Sequence, residues 1–101
     1  MLASFSIIPL DKGESLSRYV SEIIDLIDKS GLDYRLGAMS TTVEGDMNLI
    51  FELIKQCHLK MRKRSRRVVT NISIDDREGA TKRLNGKPQA IETILKKKLK
   101  R

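Results

Sequence analysis

The chain has 101 residues, a formal net charge of +7, 40% apolar and 33% charged residues, and one cysteine. This length and balance favour one folded domain with a modest core and exclude a low-complexity chain. An intrachain disulfide is excluded because Cys57 has no second cysteine to pair with, and no stretch approaches the ~20 apolar residues of a membrane span. The sequence therefore predicts a cytoplasmic protein that does not enter a membrane.

Positive charge is concentrated in the second half of the chain. Residues 1–54 hold four basic and nine acidic side chains, whereas residues 55–101 hold sixteen basic and four acidic ones. Most of the basic residues lie in two clusters, at 55–67 and 96–101. Such asymmetry can indicate a polyanionic partner, although a solvated helix face rich in lysine gives the same pattern. Composition alone favours the solvated face over nucleic-acid binding.

Alternating apolar and polar side chains predict a first strand at "ASFSIIPL", residues 3–10. One face of this strand would carry Ala3, Phe5 and Ile7, and the other Ser4, Ser6 and Ile8. A helix is predicted next, capped by Ser15 and followed by Gly31 at the position after its end. Its inward stripe, at helical spacing, is Leu16, Tyr19, Val20, Ile23 and Ile27.

Two short extended segments, "DYRLGAM" and "TTVEG", predict a hairpin that bends near Met39 and Ser40. Asp46 is placed to cap a second helix. The apolar stripe of this helix is Ile50, Leu53, Ile54, Cys57 and Met61. Neighbouring helical residues point about 100° apart, so Cys57 and His58 do not form a catalytic pair. We interpret Cys57 as a core residue and His58 as a structural histidine.

The segment "RRVVTNISID" predicts the last strand, in which apolar and polar side chains alternate. At its end, the adjacent carboxylates suit a turn in which Asp75 or Asp76 accepts hydrogen bonds from backbone N–H groups, with Arg77 as an ion-pair partner. This interpretation is favoured over a metal site, which needs more oxygen ligands. Pro88 suits the first turn of a short C-terminal helix. The inward residues of that helix would be Ile91, Ile94, Leu95 and Leu99.

The element order is strand, helix, strand, strand, helix, strand, with an added C-terminal helix. This order predicts one α+β domain over residues 1–101, with the ferredoxin-like βαββαβ arrangement and both long helices on one face of an antiparallel sheet. The residues expected to face those helices are Phe5, Ile7, Val68, Ile72 and Ile74. The other face would carry small hydrogen-bonding side chains, including Ser6, Asn71 and Ser73. Such a face suits a second subunit or a small polar ligand, and a plain solvent face is the alternative.

A run of hydroxyl side chains marks the segment "GAMSTTVEG", where Ser40, Thr41 and Thr42 precede the single carboxylate of Glu44. This set suits a compact, neutral or cationic heterocycle with an exocyclic amine, and it suits a phosphate poorly. The sequence contains no glycine-rich phosphate loop, nucleophile–base set or group of metal ligands. Two Phe, two Tyr and no Trp leave no aromatic platform for stacking RNA bases.

Four segments, "SIIPL", "SLSRYV", "YRLGAMSTTVEGD" and "RVVTNISIDDREG", with the helix that carries His58, resemble the small thiamine-binding protein family (YkoF-like). The resemblance covers residues 2 to about 99, and its two motifs read close to G-x-M-x-T-x-x-E-G and R-V-x-T-x-x-x-I-D-D-R. The residues that match these motifs are Met39, Thr41, Glu44, Gly45, Thr70, Ile74, Asp75, Asp76 and Arg77, and His58 matches a histidine common in the family's second helix. Ser40 stands where many members have Gly, and Ala38 replaces a frequent Gly or Pro.

The resemblance implies a ferredoxin-like subunit that pairs through its sheet, commonly as a dimer of dimers, and that binds thiamine or its hydroxymethylpyrimidine part without an established reaction. The leading hypothesis is accordingly a non-enzymatic, homo-oligomeric binding protein for such a ligand, with no metal or other cofactor. Its ligand-binding residues would be Ser6, Met39, Ser40, Thr41, Thr42, Glu44, Asn71 and Ser73. Glu44 would take the ligand's amine or lie near its thiazolium ring. The alternative is an oligomeric interaction protein whose basic edge binds nucleic acid or an acidic partner.

Overall fold

Four strands and three helices make up the computed structural model, which describes residues 1–101. The elements are β1 (Leu2–Pro9), α1 (Ser17–Lys29), β2 (Asp33–Leu36), β3 (Thr41–Glu44), α2 (Met47–Arg64), β4 (Val68–Asp75) and α3 (Arg83–Leu95). The strands form one antiparallel sheet in the order β2-β3-β1-β4. This order confirms the predicted ferredoxin-like α+β fold. None of the helices has the length and apolar character needed to cross a membrane.

Pleating gives the sheet two faces, since successive side chains of a strand point to opposite sides. The face toward α1 and α2, here called the helix face, includes the buried side chains of Ala3, Phe5 and Ile7, as predicted. The opposite face, here called the polar face, consists of alternate residues from all four strands. It carries Leu2, Ser4, Ser6, Ile8, Asp33, Arg35, Thr42, Glu44, Val69, Asn71, Ser73 and Asp75.

The hydrophobic core lies between the helix face and the two long helices. It contains Ala3, Phe5, Ile7, Ile23, Ile27, Val43, Ile50, Leu53, Ile54, Cys57 and Met61. The predicted stripe of α2 is buried in full, because its helical spacing directs all of its members at the sheet. In α1 only Ile23 and Ile27 are fully buried. Burial raises the pKa of the Cys57 thiol to about 11, consistent with its predicted place in the core.

The helix ends agree in part with the sequence. Asp46 caps α2 as predicted, since its carboxylate accepts hydrogen bonds from the N–H groups of Asn48 and Leu49 at 3.0 and 3.3 Å. The predicted cap at Ser15 is wrong, because α1 begins after Leu16 and no side chain caps it. Gly31 follows the C-cap of α1 with φ +79°, a conformation that favours glycine and confirms the predicted end.

Two groups of predicted inward residues are exposed instead. Ile72 and Ile74 lie on the helix face but are 43% and 45% exposed, because α2 packs mainly against β1 and leaves the β4 edge open. The four apolar residues expected to face inward from α3 are also exposed: Ile91, Ile94, Leu95 and Leu99. Pro88 is the sixth residue of α3 and not part of its first turn. The hydrogen bonds and the ion pair that join this helix to the sheet all come from its first five residues.

Candidate ligand-binding site

The third helix lies across the β2–β3 half of the polar face and is held there by Glu44. The two carboxylate oxygens of Glu44 accept hydrogen bonds from the backbone N–H groups of Arg83 at 2.6 Å and Leu84 at 3.0 Å. First-turn amides lack partners inside a helix, and a negative charge at this end is favoured by the helix dipole. Glu44 therefore acts as the cap of α3, a role that the side chain of Lys82, at the N-cap position, does not fill.

Two further polar contacts join α3 to the sheet. Lys87 forms an ion pair with Asp75 of β4, which holds the pKa of that carboxyl below its usual value. The predicted ion pair of Arg77 with Asp75 or Asp76 does not form, and the partner of Asp75 is Lys87 instead. Arg35 of β2 donates a hydrogen bond to the side chain of Asn85. Residues of β2, β3 and β4 thus all bind this one helix.

A cavity of about 420 Å³ lies between α3 and the polar face; we call it the α3 cavity. Its sheet side is formed by Leu2, Arg35, Leu36, Gly37, Ser40 and Thr42. The other side is formed by Arg83, Leu84, Lys87, Pro88 and Arg101. Small organic ligands occupy cavities of about 300–1,000 Å³, so the α3 cavity is of suitable size.

Ser40 and Thr42 are the two predicted hydroxyl residues that reach the α3 cavity. The Ser40 hydroxyl oxygen lies 2.9 Å from that of Ser4, a hydrogen bond that orients it. The Thr42 hydroxyl makes no hydrogen bond to the protein and is free to bind a ligand. Gly37 shapes the turn before Ser40, since its N–H donates to the Ser40 carbonyl at 2.9 Å. A Cβ at position 37 would lie 2.7 Å from that carbonyl oxygen, so this close approach requires glycine.

The structure places Thr41, Ser6 and Met39 elsewhere. Thr41 is only 5% exposed and lies on the helix face, opposite to the side taken by Thr42, because neighbouring strand residues alternate. With Ser6 and Met39 it lines a second, mostly apolar cavity of about 150 Å³, which shares Leu36, Gly37 and Ser40 with the α3 cavity. That cavity lies at the first residue of β3, where β1 continues past Phe5 without a β3 partner. These three residues therefore do not share the α3 cavity with Thr42.

Asn71 and Ser73 lie on the β4 side of the polar face. The strand register sets Asn71 opposite Ser6 and Ser73 opposite Ser4. Both are exposed, and neither lines the α3 cavity. The predicted ligand-binding residues are thus divided among the α3 cavity, the cap of α3, the smaller cavity and the open part of the polar face.

Sequence reasoning missed the basic residues of the α3 cavity, which are Arg35, Arg83, Lys87 and Arg101. No carboxylate is among the residues that line it. A correct register for β2 would have placed Arg35 beside Thr42, since the two are paired across the strands. No short-range signal in the sequence indicates that "TKRLNGK" folds back over the same spot.

Two other features predicted from the sequence lie away from this cavity. His58 Nδ1 is 2.7 Å from the Thr70 hydroxyl, a bond that joins α2 to β4 and agrees with a structural histidine. Within the first basic cluster, Arg64 pairs with Glu22 at 2.7 Å and lies over the Tyr19 ring. Because such groups already have partners within the chain, only part of this cluster is available to a nucleic acid, and that alternative stays a prediction.

Comparison with known proteins identifies relatives over nearly the whole chain. Residues 3–92 match the family described as thiamine-binding protein. UPF0045 protein MJ1052 of Methanocaldococcus jannaschii is 36% identical over 91 residues, which cover 90% of this chain and 91% of that protein. The Staphylococcus xylosus UPF0045 protein in the glkA 3′ region is 38% identical over 88 residues, which cover 82% of each chain.

Solved structures agree with this assignment. The crystal structure of MJ1052 matches with a TM-score of 0.84 and 37% identity, covering 89% of this chain and 93% of that one. A Thermotoga maritima protein proposed to act in thiamine biosynthesis or salvage matches with a TM-score of 0.74 and 25% identity, covering 83% of this chain and 91% of that one. The resemblance inferred from the two motifs is therefore confirmed: the chain belongs to the thiamine-binding protein family.

Proposed function

We propose that this protein is a non-enzymatic binding protein for thiamine or a hydroxymethylpyrimidine-type ligand, which enters the α3 cavity. The observation that carries the proposal is the position of the Ser40 and Thr42 hydroxyls in a cavity of about 420 Å³. The exocyclic amine of an aminopyrimidine donates hydrogen bonds and its ring nitrogens accept them. A hydroxyl group can bind either, because it both donates and accepts hydrogen bonds. Leu2, Leu36 and Pro88 supply apolar surface against which the ring can pack.

Glu44 has a positioning role in this proposal. The sequence hypothesis assigned it the ligand's amine, but its two oxygens already accept hydrogen bonds from the Arg83 and Leu84 amides. By holding the first turn of α3 over the sheet, Glu44 maintains the cavity. Its effect on a ligand would then pass through the helix and not through direct contact.

We assign no reaction to the site. The residues that line the α3 cavity include neither a histidine nor a carboxylate to act as a general base, and its two hydroxyls have no such partner. Binding without turnover is the function that these residues support best. A cytoplasmic location stays a prediction from the sequence.

Isothermal titration calorimetry with hydroxymethylpyrimidine and with thiamine tests the proposal. We expect saturable binding of at least one of them, with one site per chain and a matching rise in thermal stability. Lysozyme at the same concentration controls for heats of dilution and non-specific binding. Absence of both heat and thermal shift at millimolar ligand would reject the proposal.

We also propose that the chain forms a homo-oligomer, a dimer or a dimer of dimers, through the β4 side of the sheet. One side of β4 has no partner strand. Beside it, Phe51, Ile72 and Ile74 are exposed, and a contiguous apolar patch next to a free strand edge favours association.

Light scattering at micromolar protein tests this association. We expect a mass above that of one chain for the wild type and a shift toward monomer for Phe51→Glu. Ile94→Glu, on the exposed part of α3, is the matched control and should keep the wild-type mass. A monomeric wild type would contradict the proposal.

A further inference from the structure

The charge of the α3 cavity carries an inference about which form of the ligand it takes. Four basic side chains line the cavity without a carboxylate among them. Two of the four are paired from outside it, Lys87 with Asp75 and Arg101 with Glu92 at 3.0 Å. Neither Arg35 nor Arg83 forms an ion pair, although Arg83 also lines a neighbouring cavity of about 120 Å³ with Glu44 and Asp75.

These two arginines are close to the proposed ligand-binding hydroxyls. Arg35 lies directly across the strand pair from Thr42, and its only hydrogen bond is to the neutral side chain of Asn85. Arg83 opens α3 and makes no side-chain hydrogen bond; only its backbone N–H is bound, by Glu44. Arg35 therefore keeps its charge and its remaining donors for a bound molecule. Arg83 keeps its side-chain donors, although its charge also acts on the nearby Asp75 carboxylate.

A free aminopyrimidine carries no negative group to pair with the positive charge of Arg35 and Arg83. The cationic ring of thiamine would be repelled by that charge. A phosphate group would instead accept charge-assisted hydrogen bonds from guanidinium groups, which bind phosphate oxygens in pairs. We infer that the α3 cavity takes a phosphate monoester of the aminopyrimidine, with the phosphate held by Arg35 and Arg83 and the ring by Ser40 and Thr42. This inference rests on the proposed function and names the form of its ligand.

The helix terminus itself does not hold the phosphate. The first-turn amides of α3 already donate to Glu44, so the two arginine side chains and the Thr42 hydroxyl are the donors left. The hydroxyl cluster alone favoured a neutral or cationic ligand. That expectation did not include the basic residues that β2 and α3 bring to the same cavity.

Calorimetry with paired ligands tests the inference: hydroxymethylpyrimidine against its phosphate monoester, and thiamine against thiamine monophosphate, with inorganic phosphate and glycerol phosphate as further probes. We expect the phosphorylated member of each pair to bind at least about tenfold more tightly, or about 1.4 kcal/mol. Raising the salt concentration should weaken the phosphorylated ligands more than the free ones.

Two variants locate the phosphate. Arg83→Gln and Arg35→Gln should each reduce the preference for the phosphorylated ligand, whereas Arg18→Gln, an exposed arginine of α1, should leave it unchanged. Circular dichroism checks that each variant is folded, and two variants on different elements keep the test open if one is not. A preference that survives both substitutions would overturn the assignment of the two arginines.

The remaining outcomes separate this inference from the proposed function. Equal or tighter binding of the free pyrimidine would overturn the inference and leave the proposed function standing. If glycerol phosphate binds as tightly as the pyrimidine phosphate while the free pyrimidine does not bind, the arginines form a phosphate site and the proposed function fails. Failure of every ligand to bind would overturn both.

Discussion

The two faces of the sheet hold their helices by different means. On the helix face, α1 and α2 are joined to the strands by a continuous set of buried apolar side chains. On the polar face, α3 has no buried residue and is joined by the Glu44 cap, the Asp75–Lys87 ion pair and the Arg35–Asn85 hydrogen bond.

This difference separates stability from binding. Burial of apolar side chains is non-directional and packs them closely, so the helix face supplies the free energy of folding. Polar contacts of α3 leave a cavity with free hydroxyl and guanidinium donors, and such contacts respond to pH, salt and ligand. One layer of strands thus carries a stable core on one side and an adjustable site on the other.

The largest expected effect is on the helix face. Ile50→Ala, at a fully buried position of α2, should lower the free energy of unfolding by about 2–5 kcal/mol in chemical denaturation, through lost burial and the cavity left behind. The matched change on α3 is Ile94→Ala, at a side chain that is 76% exposed, and it should cost no more than about 0.5 kcal/mol. Similar losses for the two variants would mean that α3 contributes to the core.

An intermediate effect is expected at the cap of α3. Glu44→Gln removes the charge that the Arg83 and Leu84 amides bind, and should weaken the docking of α3 by about 1–2 kcal/mol, in the range of helix caps. Hydrogen exchange of α3 amides should speed up accordingly, while amides of α2 keep their protection. Glu52→Gln, on the exposed side of α2, is the control. Unchanged α3 exchange in Glu44→Gln would contradict the capping role.

Acid should release α3 before it unfolds the core. Lys87 lowers the pKa of Asp75 below its usual 3.8, and hydrogen bonds from the Leu99 N–H and Arg101 lower that of Glu92 below 4.5. A lowered folded-state pKa gives stability that is complete above the unfolded-state value and is lost as the pH falls through the folded-state value.

Amide NMR from pH 6 to pH 3 should therefore show α3 losing protection first, below about pH 4. The pKa of Asp11 is also lowered, because its carboxylate accepts hydrogen bonds from the Ser65 hydroxyl and the Arg66 N–H. Protonation of Asp11 should therefore cause some loss of stability near the end of α2 at the same acidic pH. Lys87→Met should remove the contribution of Asp75 to this pH-dependent loss of protection. Simultaneous loss of protection in α3 and in the core would contradict the difference between the faces.

The smallest expected effect is a difference in ligand affinity between variants of two neighbouring threonines. Thr42→Val should weaken ligand binding by about 0.5–1.5 kcal/mol, the net contribution of one hydrogen bond, measured by calorimetry. Thr41→Val should leave the affinity unchanged, because that side chain points to the helix face. A larger loss from Thr41→Val than from Thr42→Val would move the site to the smaller cavity that Thr41 lines.

The helix face could be predicted from the sequence because periodicity encodes it. The stripe from Ile50 to Met61 and the alternation of Phe5 and Ile7 depend only on local spacing, and both were correct. Alternation also places Thr41 and Thr42 on opposite faces of the sheet, so the run of three hydroxyls does not form one cluster.

The polar face could not be predicted in the same way, because residues far apart in the chain form it. Glu44 caps amides about forty positions later, and Arg83 reaches the sheet only after α3 folds back. The apolar spacing of Ile91 and Ile94 suggested an inward stripe, but the polar contacts at the start of α3 decide where the helix lies.

An amide NMR titration with hydroxymethylpyrimidine and its phosphate monoester tests the central claim most directly. The largest shift changes should fall on Ser40, Thr42 and the first turn of α3, with amides near Ile50 and Leu53 unchanged. Changes centred on the exposed apolar patch of Phe51, Ile72 and Ile74, or no changes at saturating ligand, would contradict a binding site between α3 and the polar face.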